Sequence, residues 1–194
     1  MSLSLSMAAF ALAASISPGP VNIVALASGA RHGLRASLGH VAGATLGFCL
    51  LLLLCGLGVH QLLLRWPALG QLLLGGGVLF LLYMAWQLAR DDGELAAEQQ
   101  QQAPSAWQGA AMQWLSPKAW LAVVAGVGVY TGGDQPLLWL FSAIYAPICF
   151  VSIASWAWAG SVISHYLDNP KRLRLFNRLL AALIVASAVV LLRA

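Results

Sequence analysis

The chain has 194 residues, of which 60% are hydrophobic and only 8% are charged. Because a soluble domain carries roughly 25% charged residues, this composition excludes an ordinary soluble domain. The formal net charge of +4 would suggest a nucleic-acid ligand in a soluble protein. Here most lysines and arginines lie in short segments between apolar runs, where they report membrane orientation. We therefore expect a helical membrane protein that binds no nucleic acid and has the lipid bilayer as its surroundings.

Six apolar segments are long enough to cross a bilayer as helices. They cover about 3–29, 36–59, 67–88, 107–130, 136–162 and 173–192. A linker rich in acidic residues and glutamine, at about 90–106, separates the third segment from the fourth and has the composition of a mobile segment. We predict an all-α membrane protein with six transmembrane helices, folded as a single transmembrane domain over residues 1–194.

Residues that break helices interrupt two of these segments near their middle. The breaks are Ser17-Pro18-Gly19-Pro20 in the first segment and Ser116-Pro117-Lys118 in the fourth. Each proline removes a backbone donor, and in a bilayer a break is tolerated only where the freed groups are buried in protein or line a wet cavity. Helices 1 and 4 are therefore predicted to be interrupted at mid-membrane, with the two breaks face to face around a site.

Each interrupted helix is expected to restart directly after its break. We predict Ser17 and Ser116 as N-caps of the restarted helices, with Pro18 and Pro117 at their first positions. A restarted helix presents unpaired N–H groups and a partial positive charge, and both favour anions. A carboxylate between two such N-termini would be well held.

The linker divides the six segments into three and three, so the second half of the chain is inverted relative to the first. We predict two inverted three-helix repeats, about 1–89 and about 107–194, whose interrupted first helices correspond. Seven basic residues fall on the linker's side of the membrane and two, Arg65 and Arg193, on the other. The seven are Arg31, Arg35, Arg90, Lys171, Arg172, Arg174 and Arg178. By the positive-inside rule the linker is cytoplasmic and both termini lie outside.

Lys118 lies deep in the fourth segment, about 16 Å from its start at 1.5 Å per residue. A lysine at such a depth costs about 2.5–3.5 kcal/mol on insertion scales, and a helix N-terminus is already positive. All six acidic residues fall in loops or at segment ends. The missing negative charge is most simply that of an anionic ligand. The alternative is that Lys118 extends to a cytoplasmic vestibule and binds nothing.

Asn22 and His40 are the other polar candidates within the spans. Asn22 could bind a substrate's ammonium or backbone, and it could equally bond to an adjacent helix. His40 and Lys118 are the side chains available to carry a proton through spans that lack a carboxylate. For His40 we favour the alternative of a solvated histidine at a helix end.

Taken together, several motifs resemble those of the LysE/RhtB-type amino-acid exporters. The motifs are Pro18-Gly19-Pro20, Gly29-Ala30-Arg31-His32-Gly33, the glycines 39, 43 and 47, Leu82-Tyr83-x-x-Trp86 and Ser116-Pro117-Lys118-Ala119. The likeness covers nearly the whole chain apart from the linker and the last span. Where that family usually has Asn before Pro-Lys, this chain has Ser116, which leaves open which polar group meets the substrate.

The resemblance implies proton-driven efflux of amino acids or small derivatives through a bacterial inner membrane, by a secondary antiporter that is no enzyme and needs no cofactor or metal. The predicted substrate site is made of Ser17, Pro18, Gly19, Pro20, Asn22, Ser116, Pro117 and Lys118. Faces rich in glycine or leucine would suit a homodimer. The glycines 39, 43 and 47 share one helix face and predict close helix packing.

Two functions of other classes remain open. A membrane thiol–disulfide electron carrier of the CcdA/DsbD type also has paired breaks with prolines, but its chemistry needs a cysteine at each break, where this chain has Ser17 and Ser116. Cys49 and Cys149 could pair only if the two repeats meet there. A structural protein that transports nothing predicts no central cavity and no need for a break at mid-membrane.

Overall fold

The protein is described by a computed structural model over residues 2–59, 67–90, 103–164 and 170–193. Within these ranges it consists of seven α-helices and a π-helical turn at Cys55–Val59, with no strand. The helices are α1 Leu3–Ile16, α2 Pro20–Leu54, α3 Pro67–Arg90, α4 Ala106–Trp114, α5 Pro117–Tyr130, α6 Gln135–Ile163 and α7 Pro170–Arg193. Most of the predicted linker, at 91–102, and Arg65 lie outside the described residues. The prediction of an all-helical chain is confirmed for the part that is described.

Helix α2 folds back on itself at Gly33. This residue has φ 79° and ψ 168°, a conformation that glycine adopts at little cost because it has no Cβ. Ser28 Oγ and Ser37 Oγ lie 2.7 Å apart across the turn. His40 Nε2 lies 3.4 Å from Val21 O, whereas a straight helix would separate these two residues by about 28 Å. We therefore divide α2 into a first arm, 20–32, and a second arm, 34–54.

Helix breaks occur at both predicted places. The first predicted span is made of α1 and the first arm of α2, and the fourth is made of α4 and α5. The segments Pro20–Gly58 and Gln135–Ile163 are long and apolar enough to cross a membrane by length and composition, although the former contains the turn at Gly33. Leu3–Ile16, Val78–Arg90 and Pro117–Tyr130 are shorter apolar helices.

Glycines allow the helices around the breaks to approach closely. A Cβ added at Gly43 would overlap the backbone of Ala106 in α4, and one added at Gly109 would overlap the backbone carbonyl of His40. The predicted tight packing of glycines in this arm is therefore confirmed at position 43, and at Gly47, which faces Ala110. The remaining glycine of the series, Gly39, has no heavy atom within 4 Å of such a Cβ.

The first arm meets α6 by a similar contact. A Cβ at Gly29 would overlap the carbonyl of Ala157, and one at Gly160 would overlap the carbonyl of Leu26. Helix α1 also packs against α6, and α3 packs against α7. These contacts bring the end of α1 and the starts of α2 and α5 together in the interior of the protein.

Candidate functional site

The first break is a stretch of extended backbone between α1 and α2. Ser17 ends α1 with ψ 142°, and Gly19 is the N-cap of α2 with φ −174° and ψ 169°. The residue before a proline is disfavoured in the helical region, so Pro18 keeps Ser17 extended and Pro20 does the same to Gly19. The helix can therefore restart only at Pro20. The prediction of Ser17 as N-cap and Pro18 at the first helical position is wrong, because two prolines in series move the restart by two residues.

Side chains from outside α1 bind the carbonyl groups at its C-terminal end. Asn22 is buried, and its Nδ2 donates to Ser15 O and Ser17 O at 2.9 Å each. Trp156 Nε1 of α6 donates to Ile16 O at 3.1 Å. Buried carbonyls without partners would be costly, so these contacts stabilise the break. Of the two roles predicted for Asn22, the structure shows the bond to a neighbouring helix.

Lys118 makes the link between the two breaks. Its Nζ donates to Ser17 O at 2.7 Å and to Pro18 O at 3.3 Å. A Cβ added at Gly19 would lie 3.3 Å from both Cδ and Nζ of the lysine. The C-terminal end of α1 carries a partial negative charge, so it partly compensates the ammonium group. The breaks lie face to face, as the sequence predicts.

The second break is shorter and has a different set of contacts. Helix α4 ends at Trp114, and Ser116 is the N-cap of α5, with Pro117 at its first position. This confirms the prediction for Ser116 and Pro117, although the Ser116 side chain makes no capping bond. Trp120 Nε1 donates to Trp114 O at 2.7 Å, so an indole from within α5 satisfies a carbonyl at the end of α4.

A small central cavity lies between the two breaks. Its volume is about 40 Å³, enough for about three water molecules. Five predicted site residues line it, namely Gly19, Pro20, Asn22, Ser116 and Lys118. Three predicted site residues, Ser17, Pro18 and Pro117, do not line it, although the first two contribute the carbonyls that bind the lysine.

Other cavity-lining residues are not among the predicted site residues. Ser15 lines the cavity, and its Oγ is buried with no hydrogen-bond partner among the described residues. Tyr145 and Cys149 line it from α6. A signal for the α6 residues was available: Ser142, Tyr145, Cys149 and Ser152 recur at helical spacing and are all buried.

His40 lies against the first turn of α2, outside the lining of the central cavity. It is fully buried, so the expectation of a solvated histidine at a helix end is wrong. The reason is the tight turn at Gly33, which places the second arm directly against the first. Because Val21 O can only accept, Nε2 carries the hydrogen, and Nδ1 is buried without a partner among the described residues.

The described residues include one acidic side chain, Asp134, which caps α6 at its N-terminus and lies away from the breaks. They contain no group of three His, Cys, Asp or Glu side chains that could hold a metal ion. Cys49, Cys55 and Cys149 are free thiols. Lys118 is therefore a cation whose described partners are backbone carbonyls rather than a carboxylate.

Two interrupted apolar helices that meet around a half-buried charge are typical of membrane transporters. The LysE type translocator family matches this chain over residues 12–194, and the chain belongs to that family. It is therefore a membrane protein and a translocator, not an enzyme, and the predicted resemblance is confirmed.

Relatives of known name agree with the family. Cysteine/O-acetylserine efflux proteins of Escherichia coli (strain K12), Shigella sonnei (strain Ss046) and Shigella flexneri are each 31% identical to this chain over 187 residues. The match covers 93% of this chain and 92% of each relative. No solved structure matches the chain.

Proposed function

We propose that this protein is a secondary active exporter of amino acids or small amino-acid derivatives, and that the substrate carboxylate binds Lys118 between the two helix breaks. One observation carries the proposal: the Lys118 ammonium lies in a central cavity, bound to Ser17 O and Pro18 O, with no described carboxylate beside it. The efflux of cysteine and O-acetylserine named for the relatives supports the same class of substrate.

The geometry allows a zwitterionic substrate to bind by replacing the hydrogen bonds between Lys118 and the two carbonyls. The substrate carboxylate takes Lys118 and the N–H groups at the starts of α2 and α5, which favour anions. The lysine then releases Ser17 O and Pro18 O, and these carbonyls become acceptors for the substrate ammonium. The substrate carboxylate thus replaces the two carbonyls as the partner of Lys118, and the substrate ammonium replaces Lys118 as the partner of the two carbonyls. Ser15, Asn22 and Ser116 offer further polar contacts at the cavity wall.

The central cavity must enlarge before it admits an amino acid, because its volume of about 40 Å³ corresponds to about three water molecules. We propose that the two inverted repeats, about 1–89 and about 107–194, rock against each other to alternate access. Support comes from matching contacts: α1 packs on α6 in the second half, and α4 packs on the second arm of α2 in the first half. The proposed setting is the bacterial inner membrane, with both termini outside by the distribution of basic residues.

Proton coupling is part of the proposal, with His40 and Lys118 as the carriers. His40 contacts Val21 O in the first turn of α2, and Val21 lines the central cavity. Its unpartnered Nδ1 is the position that can accept a proton. A proton taken up there would act on the same helix start that receives the substrate carboxylate.

The test is efflux of O-acetyl-L-serine from preloaded proteoliposomes under an imposed pH gradient. Lys118→Gln keeps a long polar side chain without charge, and we expect it to reduce efflux to the rate of empty liposomes. Arg172→Gln is the matched control, since it removes an exposed basic residue that does not line the central cavity, and its efflux should equal that of the wild type. Efflux retained by a folded Lys118→Gln variant would overturn the carboxylate role.

No observation favours the thiol–disulfide function. The three cysteines are free, and none lies at either break. Redox exchange across a pair of breaks needs a cysteine at each.

A further inference from the structure

A second and larger cavity lies at the predicted cytoplasmic end of the protein. Its volume is about 460 Å³, which falls in the range of roughly 300–1,000 Å³ typical of ligand pockets. Its walls come from the first arm of α2, the C-terminal end of α3, the start of α4 and its preceding residues, and α7. We call it the vestibule.

The vestibule is rich in cations and hydrogen-bond donors. Arg31 and Arg90 both line it, and the Arg90 guanidinium lies 4.1 Å from the centre of the Trp86 ring, which also lines it. His32, next to Arg31 in the chain, is another wall residue. The one acidic side chain among the described residues, Asp134, is not part of this wall.

Asn177 gives the vestibule a buried donor without a partner. The residue is 2% exposed, and its Nδ2 has no hydrogen-bond partner among the described residues. A buried amide group that makes no bond costs about 1–3 kcal/mol, so a ligand that accepts from it gains an interaction that the protein alone lacks. Two glutamines also belong to the polar wall. Gln87 Nε2 donates to Tyr83 OH, and Gln108 Oε1 accepts from Ser105 N.

The vestibule adjoins the central cavity along the first arm of α2. Val24 lines the vestibule and Val21 lines the central cavity, a separation of three residues or about 4.5 Å along the helix. Helix α4 contributes to both as well, through Gln108 and Gln113. A molecule bound in the vestibule therefore lies next to the cavity that Lys118 lines.

We propose that the vestibule is a second amino-acid site, in which the substrate carboxylate binds Arg90 and Asn177 Nδ2 before the substrate moves to the central cavity. The inference takes its class of ligand from the proposed export function. Amide oxygens of Gln87 and Asn177 supply acceptors for the substrate ammonium. This pairing of donors and acceptors in one wall favours a zwitterion over the phosphate of a lipid, which needs donors alone.

The test is equilibrium binding of radiolabelled O-acetyl-L-serine to the purified full-length protein in phosphatidylcholine nanodiscs. All variants carry Lys118→Gln, so the central site is disabled and the remaining binding belongs to the vestibule. We expect this background to retain binding, and Asn177→Asp within it to raise the Kd at least about tenfold, because a carboxylate replaces the donor. Arg90→Gln, an exposed position that should tolerate substitution, is expected to weaken binding similarly.

Arg178→Gln is the matched control, since it removes an exposed basic residue next to Asn177 that does not line the vestibule. Its Kd should stay within about twofold, the range of an exposed substitution. The methyl ester of O-acetyl-L-serine, which lacks the carboxylate, should not bind. Loss of all binding in Lys118→Gln, unchanged binding in both vestibule variants, or displacement by phosphatidylglycerol would overturn the proposal. A failed export function shows separately, as wild-type proteoliposomes that release O-acetyl-L-serine no faster than empty liposomes.

Discussion

The two helix breaks differ in whether their backbone carbonyls bind a side chain from the other half of the chain. The first has two prolines and three residues outside helix, and it presents the carbonyls of Ser17 and Pro18 to a side chain from the other half of the chain. The second has one proline and two residues outside helix. Its Trp114 carbonyl is bound within its own half, by the indole of Trp120.

This difference assigns each break a separate task. The first break supplies acceptors at the negative end of α1, and the second supplies the cation, Lys118, at the start of α5. The pair of breaks thus forms a dipole, and a zwitterion is the ligand that matches a dipole. If both breaks were equally closed by their own indoles and amides, the lysine would have no partner in the interior.

Removing proline from each break should give the largest contrast. In Pro18→Ala, Ser17 is free to become helical, and its carbonyl leaves Lys118, so we expect efflux to fall about tenfold or more, the loss of one bond to a charged group. In Pro117→Ala, Ser116 is also released from the restriction that proline imposes, but its carbonyl accepts within α5 and is not a partner of Lys118. Proline at the first helical position then serves mainly to preset φ. Efflux there should stay within about twofold of the wild type. Equal losses in the two variants would contradict the division of tasks.

Replacing Asn22 should have an intermediate effect that is mainly structural. Asn22→Leu has similar size but cannot donate to Ser15 O and Ser17 O, so two buried carbonyls lose a donor. We expect a loss of about 1–3 kcal/mol in the free energy of unfolding, measured by thermal inactivation of the detergent-solubilised protein. Ser28→Ala, which removes a buried hydroxyl bonded to Ser37 away from the breaks, is the control and should cost less. A stability equal to the wild type in Asn22→Leu would show that Asn22 does not support the break.

The smallest effect is expected from His40, which contacts the first break through Val21 alone. His40→Gln preserves a donor towards Val21 O but cannot carry a proton. Efflux driven by a pH gradient should fall a few-fold, while exchange of labelled for unlabelled O-acetyl-L-serine without a gradient should stay unchanged. If both rates fall together, His40 has a structural role, and if neither falls, Lys118 is the remaining candidate carrier.

Much of the fold could be predicted because long apolar runs indicate membrane helices, and prolines mark where those helices are interrupted. The positions of both breaks and their face-to-face placement followed from this pattern. The exact restart at Pro20 was missed because the effect of a proline on its preceding residue acts twice in Ser17-Pro18-Gly19-Pro20. The burial of His40 depends on the tight turn at Gly33, which composition alone does not reveal.

Side-chain partners were harder to predict than helix breaks. Asn22 and Trp156 reach the end of α1 from different elements, and nothing in local sequence identifies those acceptors. The vestibule is likewise a product of assembly, since its wall joins residues from the first and second halves of the chain, from Val24 to Asn177. From the sequence alone, its basic residues predicted the orientation of the chain in the membrane and not a binding site.

The hydrogen bond from Lys118 to Ser17 O joins residues that lie 101 positions apart, one in each half of the chain. If those halves are the units that move, this bond is a latch on the unloaded carrier. A substrate whose carboxylate binds Lys118 breaks this hydrogen bond, whereas a proton that arrives without substrate leaves the bond intact. An exporter with such a lock does not dissipate the ion gradient while it has nothing to carry.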